Sequence, residues 1–220
     1  MQPDASSWVY PEPDAHSSER SLRWQRTAKR LLDCTVAGVG LIVLAPLGAV
    51  IAALIKATSP GPVLYRWPVV GYRGEPLRAY KFRTMVMGAE GMKQDLLRFN
   101  ESSGPVFKMA RDPRITPVGR VLRKYSLDEL PQLWNIFKGD MSLVGPRPVL
   151  LSEWSQFSLG QRRKLSVKPG AVCLWHVRGQ PRDFHQWIAM DNEYIQTWSL
   201  WLDVKILMGA LWYMLAGRNV

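Results

Sequence analysis

Residues 34–55 read CTVAGVGLIVLAPLGAVIAALI, 22 residues without a formal charge and with a proline, Pro46, near the middle. About 20 apolar residues carry a helix across a hydrocarbon core ~30 Å thick, so by length this run is a membrane segment. It is too long for the apolar region of a secretory signal, and acids lie in the tail before it where a signal carries positive charge. Basic residues flank it on both sides: Arg20, Arg23, Arg26, Lys29 and Arg30 before, Lys56, Arg66, Arg73, Arg78, Lys81 and Arg83 after. The positive-inside rule puts both flanks on the cytoplasmic side, which a single crossing cannot do. Pro46 removes one backbone hydrogen bond and bends a helix. Each arm of about 11 residues then reaches ~16 Å, roughly half the core. Two readings stay open on the residues alone: a re-entrant hairpin dipping into one leaflet, and a span kinked at Pro46.

The rest of the composition is consistent with a membrane-surface protein. At 220 residues and 47% hydrophobic, the chain can bury a real core and is not a disordered polymer. Its net charge of +11 asks for an acidic partner: nucleic acid, an anionic membrane surface, or a phosphate-bearing substrate. The basic residues flank a membrane segment and form no nucleic-acid recognition module, which argues against the first. Ten tryptophans suit a membrane–water interface. Cys34 and Cys173 are too few for a disulfide framework and fit a reducing compartment. His16, His176 and His185 lack zinc-ligand spacing, and neither a Walker A loop nor a G-x-S-x-G turn is present.

Along the chain, residues 1–28 read as a mobile polar and basic tail, 29–57 as the membrane segment, and Ser59-Pro60-Gly61-Pro62 as its stop. Short strands are expected at 63–65 and 77–82, joined around Gly71-Tyr72-Arg73-Gly74. Helices are expected at 88–99, 118–124 and 127–137, with a loop over 100–117. Residues 198–216 are apolar and Trp-rich but carry Asp203 and Lys205. Their uncharged part is too short to cross, so they predict an interfacial or core helix. The fold class is α+β and mostly helical.

Two further stretches can carry chemistry: Ser126-Leu127-Asp128-Glu129-Leu130-Pro131, and residues 139–148, which end in Gly145-Pro146-Arg147-Pro148. Ser126-x-x-Glu129 matches a capping box, and Pro131 belongs in a first helical turn. The same placement suits phosphate chemistry, since a helix N-terminus favours an anion and would keep Asp128 ionised as a nucleophile must be. Glu129 could then hold a hard divalent cation. Motif shape leaves the two readings side by side. Lys81-x-Arg83, at a strand end, would point both cations to one face. Arg147, restricted by two prolines, suits bidentate phosphate binding.

Together these segments resemble the bacterial sugar transferases, the monotopic phosphoglycosyl transferases that start glycan assembly on polyprenyl phosphate. The resemblance is carried in order by Lys29-Arg30-x-x-Asp33, the Pro46-broken run, Ser59-Pro60-Gly61-Pro62, Lys81-Phe82-Arg83-Thr84-Met85, residues 128–148, Lys168-Pro169-Gly170, and Trp198-Ser199-Leu200-Trp201-Leu202-Asp203. It covers roughly residues 29–215, and its central block is long and specific. It implies a re-entrant membrane helix broken at Pro46, and a small cytosolic catalytic domain at 58–220 with interfacial amphipathic helices, on the cytoplasmic face of a bacterial inner membrane. It implies that Asp128 attacks the β-phosphorus of a UDP-sugar and expels UMP, and that polyprenyl (undecaprenyl) phosphate then takes the phosphosugar. Mg²⁺ would sit near Glu129, and Lys81, Arg83 and Arg147 would clamp the phosphates. Nucleic acid is not an expected partner; inner-membrane lipid is, and the C-terminal helix could serve a homodimer. The family's larger members add transmembrane helices, so this chain is expected to be the minimal form.

Two departures stand out. Ala45 replaces the serine that usually precedes the helix-breaking proline. In residues 171–180, His176 and Arg178 replace smaller polar groups and Gln180 replaces an arginine, for which Arg182 could substitute. This second departure bears on donor selectivity, and it is the only support for a rival reading as a non-catalytic membrane scaffold of the same fold.

Overall fold

The computed structural model describes residues 19–179, 181 and 183–216. Residues 1–18 of the expected tail, together with Gln180 and Arg182, lie outside the described residues. Residues 19–28 of that tail are helical. The first helix, α1 (Glu19–Val43), is followed after one residue by α2 (Ala45–Thr58), and the pair is bent by 60°. The bend has a local cause. Pro46 has no N–H to offer the preceding turn, Leu44 gives α2 no side-chain cap, and the ladder restarts with the Gly48 amide on the Leu44 carbonyl at 2.8 Å. No described helix by itself is long and apolar enough to cross a membrane; the bent pair together meets that test by length and composition alone. Its outer face leaves Val39, Ile42, Val43, Leu47, Val50 and Leu54 exposed, an apolar patch of the kind that marks a lipid or protein contact.

Beyond the pair, β1 (Leu64–Val70) and β2 (Pro76–Phe82) form an antiparallel hairpin around Tyr72–Gly74, longer than the sequence pattern predicts. The helical stretch expected at 88–99 shrinks to α3 (Lys93–Leu96) and a 3₁₀ turn, Leu97–Phe99. Next come α4 (Pro117–Lys124), capped by the Thr116 side chain, and a 3₁₀ turn, Leu127–Glu129. They lead to α5 (Gln132–Lys138), ended by Gly139 in the left-handed region that glycine favours. Strand β3 (Ser142–Val144) pairs in parallel with β5 (Gly170–Val172), while β4 (Val149–Leu150) joins β1 to give the order β2-β1-β4. Short helices α6 (Leu151–Trp154), α7 (Leu159–Arg162) and α8 (Trp175–Arg178) precede α9 (Phe184–Thr197) and α10 (Leu200–Leu215). The protein is α+β and mostly helical, as the sequence predicts.

The main core joins α1, the hairpin, α5, β3 and the last two helices through Ala37, Trp67, Ile136, Val144, Tyr194 and Ile206. A second cluster, Ile51, Ile55, Phe82 and Leu122, fastens α2 to β2 and α4. Helix α1 is also pinned by its polar residues. Arg30 donates to the Ile136 and Phe137 carbonyls at 2.6 and 2.7 Å, capping the C-terminal end of α5 with a cation. Asp33 accepts the Leu143 amide at 3.0 Å. Lys29 pairs with Asp203 at 2.5 Å, and Tyr194 and Trp198 donate to the same carboxylate at 2.7 and 3.2 Å. Lys29-Arg30-x-x-Asp33 and Asp203, far apart in sequence, are thus the two ends of one joint. The bent pair meets the rest of the fold there.

Gly170 explains Lys168-Pro169-Gly170. The Gly170 amide donates to the Pro146 carbonyl at 2.9 Å, and a Cβ on Gly170 would lie 2.1 Å from the Gly145 nitrogen. Backbone cannot give way as a flexible side chain can. Gly170→Ala is therefore expected to lower stability by roughly 1–3 kcal/mol, the usual range for overpacking, and to loosen the Gly145–Pro148 loop; thermal melting checks it. An unchanged melt would mean that the two strands separate freely.

Candidate active site

Asp128 and Glu129 sit on the Leu127–Glu129 turn, between α4 and α5. The capping box does not form. Ser126 adopts φ 52°, ψ 21°, makes no side-chain cap, and only its carbonyl receives the Glu129 amide, at 3.2 Å. A non-glycine residue in the left-handed region is uncommon and concentrates at functional sites. Here it turns the chain so that the two acids face inward instead of opening a helix. The α-helix proper starts only after Pro131, so the 127–137 helix of the sequence reading is two elements.

Glu129 meets Lys81 at 2.6 Å, and Arg147 stands 3.8 Å from the same oxygen. Burial alone would raise the Glu129 carboxyl, but Lys81 and Arg147 overcome it and hold the group at about 2, ionised. Burial lowers the Lys81 ammonium, and Glu129 opposes that shift. Lys81 also lies 3.8 Å from the centre of the Trp67 ring, a cation–π contact. Arg147 lies between Trp67 and Trp175, at 5.6 and 5.3 Å from their ring centres. Its two prolines and two indoles hold it in place.

Asp128 is only 7% exposed, and among the described residues no side chain hydrogen-bonds to its carboxylate. Burial raises its carboxyl, Lys81 pulls it down, Glu129 pushes it up and Arg123 pulls it down. The net direction is up. Burial thus opposes the ionised form that a nucleophile needs, and the cations Lys81 and Arg123 partly restore it.

Arg83 stands apart. Strand β2 ends at Phe82, so alternation no longer governs the next side chain. The Arg83 guanidinium instead donates to the Pro60 carbonyl and, at 2.9 Å, to the Ser59 carbonyl. It ties the turn after α2 to the hairpin, and Lys81 alone of the two enters the site.

The structure adds residues that the sequence reading missed. Arg123, on α4, donates to the Thr84 hydroxyl at 2.9 Å and faces Asp128. Asp191, on α9, pairs with Lys164 at 2.5 Å and faces the Arg147 backbone amide. Thr84 belongs to a segment that the sequence singles out; nothing in the pattern marks Arg123 or Asp191. In the atypical segment, the Cys173 amide donates to His176 Nδ1 at 2.9 Å, leaving the proton of a neutral ring on Nε2. Burial lowers His176 to about 4, and Glu129 opposes that. Arg178 turns to the surface and pairs with Glu193 at 2.6 Å.

Two hollows lie near the acids, lined by their neighbours. An apolar groove of about 620 Å³ runs between the bent pair and the hairpin, walled by residues such as Leu44, Gly48, Phe82 and Trp134, and by Leu130 and Pro131 just past Glu129. A smaller cleft of about 270 Å³ has Arg123 and Arg147 in its wall.

The sequence profile of the bacterial sugar transferases matches residues 24–217. Over 87% of this chain, 42% of positions are identical to galactosyl transferase CpsE of Streptococcus agalactiae. The undecaprenyl-phosphate galactose phosphotransferase of Salmonella typhimurium is 40% identical over 84% of the chain. Exopolysaccharide production protein ExoY of Rhizobium meliloti is 39% identical over 82%. The chain spans 43%, 40% and 82% of those proteins, respectively.

Proposed function

The chain belongs to the bacterial sugar transferase family, and from that premise we propose that it transfers a sugar 1-phosphate from a UDP-sugar to undecaprenyl phosphate. The products are UMP and polyprenyl-diphosphate-sugar, as the first membrane step of a glycan such as an exopolysaccharide. One observation supports the reading: a buried carboxylate without a hydrogen-bonded side-chain partner, acted on by Lys81 and Arg123, is next to residues that wall an apolar groove (Leu130, Pro131) and a second cleft (Arg123, Arg147). That is where a phosphate on a long isoprenoid would meet a nucleotide-sugar.

Asp128 attacks the β-phosphorus; an Asp128 oxygen–phosphorus bond forms as the bond to the UMP oxygen breaks. A terminal oxygen of undecaprenyl phosphate then attacks the same phosphorus, and Asp128 leaves as a carboxylate. Phosphoryl transfer needs positioning and charge neutralisation more than covalent help from the protein. Lys81 and Arg147 hold the diphosphate, and Arg123 favours the ionised form of Asp128.

Among the described residues no cluster of three or more His, Cys, Asp or Glu side chains could hold a metal unaided. The pair Asp128–Glu129 does fit the way Mg²⁺ is held at phosphates, by one or two carboxylates with the substrate's oxygens and water. Glu129, ionised and beside Lys81, would be its protein ligand. Bound Mg²⁺ would neutralise charge on the diphosphate.

The test is UMP release by detergent-solubilised protein given undecaprenyl phosphate, Mg²⁺ and a panel of UDP-sugars. Release with one sugar, dependent on the lipid phosphate, is expected; silence from folded protein across the panel would remove the reading.

The bent pair would sit re-entrant in the cytoplasmic leaflet of a bacterial inner membrane, its exposed apolar face toward lipid. Thr27→Cys and Ala57→Cys, each in a Cys34→Ser background, should both react with an impermeant thiol reagent from the cytoplasmic side. Opposite accessibility would mean a crossing.

A further inference from the structure

The cleft beside the acids contains a carboxylate that the transfer does not use. Trp67, Phe107, Arg123, Arg147, Lys164 and Trp187 line it, and so does Glu153. Arg123 faces Asp128 and Arg147 stands beside Glu129, so two residues of the cleft wall adjoin the acids. Its 270 Å³ is below the ~300–1,000 Å³ of a pocket that encloses a whole drug-sized ligand. It has room for one end of an extended donor whose diphosphate would stay at Arg147.

Glu153 is 6% exposed. Its nearest cation, Lys93, stands 3.9 Å away, beyond hydrogen-bond range. Lys164 is committed to Asp191 at 2.5 Å. The carboxylate meets the Leu150 amide, and the rest of its acceptor capacity faces the cleft. Because it lines the cleft, its remaining lone pairs are open to donors from a bound molecule.

The chemistry of those donors follows. Above about pH 7, where it is ionised, the carboxylate accepts only, and its two oxygens suit two neighbouring hydroxyls. A uracil edge would bring carbonyl oxygens against it. Trp67 and Trp187 add the flat apolar walls against which a ring's C–H face rests. We infer that Glu153 is a specificity-determining residue that accepts two hydrogen bonds from a vicinal diol of the donor, on either the hexose or the ribose. The assignment rests on the reading that the donor is a UDP-sugar.

The test compares the full chain and Glu153→Gln in detergent. Donor binding is followed by tryptophan fluorescence and UMP release is measured in parallel. The donors are a UDP-hexose, its 2′-deoxyribose analogue, and analogues deoxygenated at single hexose positions. Glu153→Gln should weaken binding of the parent donor roughly tenfold or more, raising KM with kcat largely kept. The deoxy donor lacking the hydroxyl that Glu153 holds should lose a similar factor against the parent protein and little against the variant. Whichever ring shows that coupling is the one read. Equal penalties in both proteins for every deoxy donor would overturn the assignment.

Turnover separates this inference from the reaction. UMP release with donor binding unchanged in the variant removes Glu153 and leaves transfer standing. Coupled binding without any UMP release keeps the diol site and removes transfer. Parent protein that binds no UDP-sugar removes both. Burial lifts the Glu153 carboxyl to about 7, above its usual 4.5. Stability from its protonated form is full below pH 4.5 and is lost as pH rises through 7, so the neutral amide should melt no lower than the parent at pH 8. A melt well below the parent would make Glu153 a structural support and overturn the assignment.

Discussion

Asp128→Asn should cut UMP release by on the order of 10³-fold or more while the protein stays folded and membrane-bound. The amide keeps the shape of the side chain and removes the electron pair that would form the bond to phosphorus. Folding should survive because burial already works against the charge at Asp128, and the carboxylate has no hydrogen-bonded side-chain partner to lose. Two measurements check it. One is UMP release under saturating donor and lipid phosphate. The other is retention of labelled phosphosugar on the denatured protein when the lipid phosphate is left out, which should be seen with the parent and not with the variant. Turnover within tenfold of the parent would show that Asp128 is not the nucleophile.

Lys81→Met should be nearly as damaging to activity and should also weaken the fold. Lys81 and Glu129 are 2.6 Å apart, with side chains 13% and 18% exposed. Removing one partner of a buried pair leaves a charge without compensation, a loss of about 3–5 kcal/mol. Arg147, at 3.8 Å from Glu129, recovers a part of it. The double variant Lys81→Met, Glu129→Gln replaces the pair with neutral groups, so it should regain most of the melting temperature and none of the activity. A single variant as stable as the double would mean that Arg147 alone compensates Glu129. A double variant that transfers sugar phosphate would take both residues out of the chemistry.

Much of the fold was legible because local sequence patterns determine local structure. The uncharged run with Pro46 near its middle dictates two helical arms and a break, since length and a missing amide are properties of the chain itself. Ser59-Pro60-Gly61-Pro62 ends the second arm, the last helix falls where its residue pattern places it, and the hairpin forms there with a longer first strand. Of the candidate site residues, Asp128, Glu129, Lys81 and Arg147 come together, and each was marked by local context: paired acids, a strand-end cation, an arginine between prolines.

Other features were not local and could not be read so. Arg83 has the same sequence credentials as Lys81, yet it goes to the Ser59 and Pro60 carbonyls, because the strand ends one residue earlier and those carbonyls lie within its reach. Ser126-x-x-Glu129 satisfies the capping pattern, but the left-handed backbone at Ser126 and the attraction of Lys81 for Glu129 outweigh it. Arg123 and Asp191 carry no mark in the sequence. They matter because α4 brings one against Asp128 and α9 brings the other behind Arg147.

The sequence by itself therefore marked the broken apolar run, the hairpin, the last helix and the paired carboxylates, because periodicity, proline and charge act over a few residues. Only the tertiary structure decided which cations reach those carboxylates, and that Glu153 looks into the cleft with acceptor capacity to spare. Those outcomes depend on burial and on distances between distant segments. Coulomb and desolvation energies are set by where a group ends up in space.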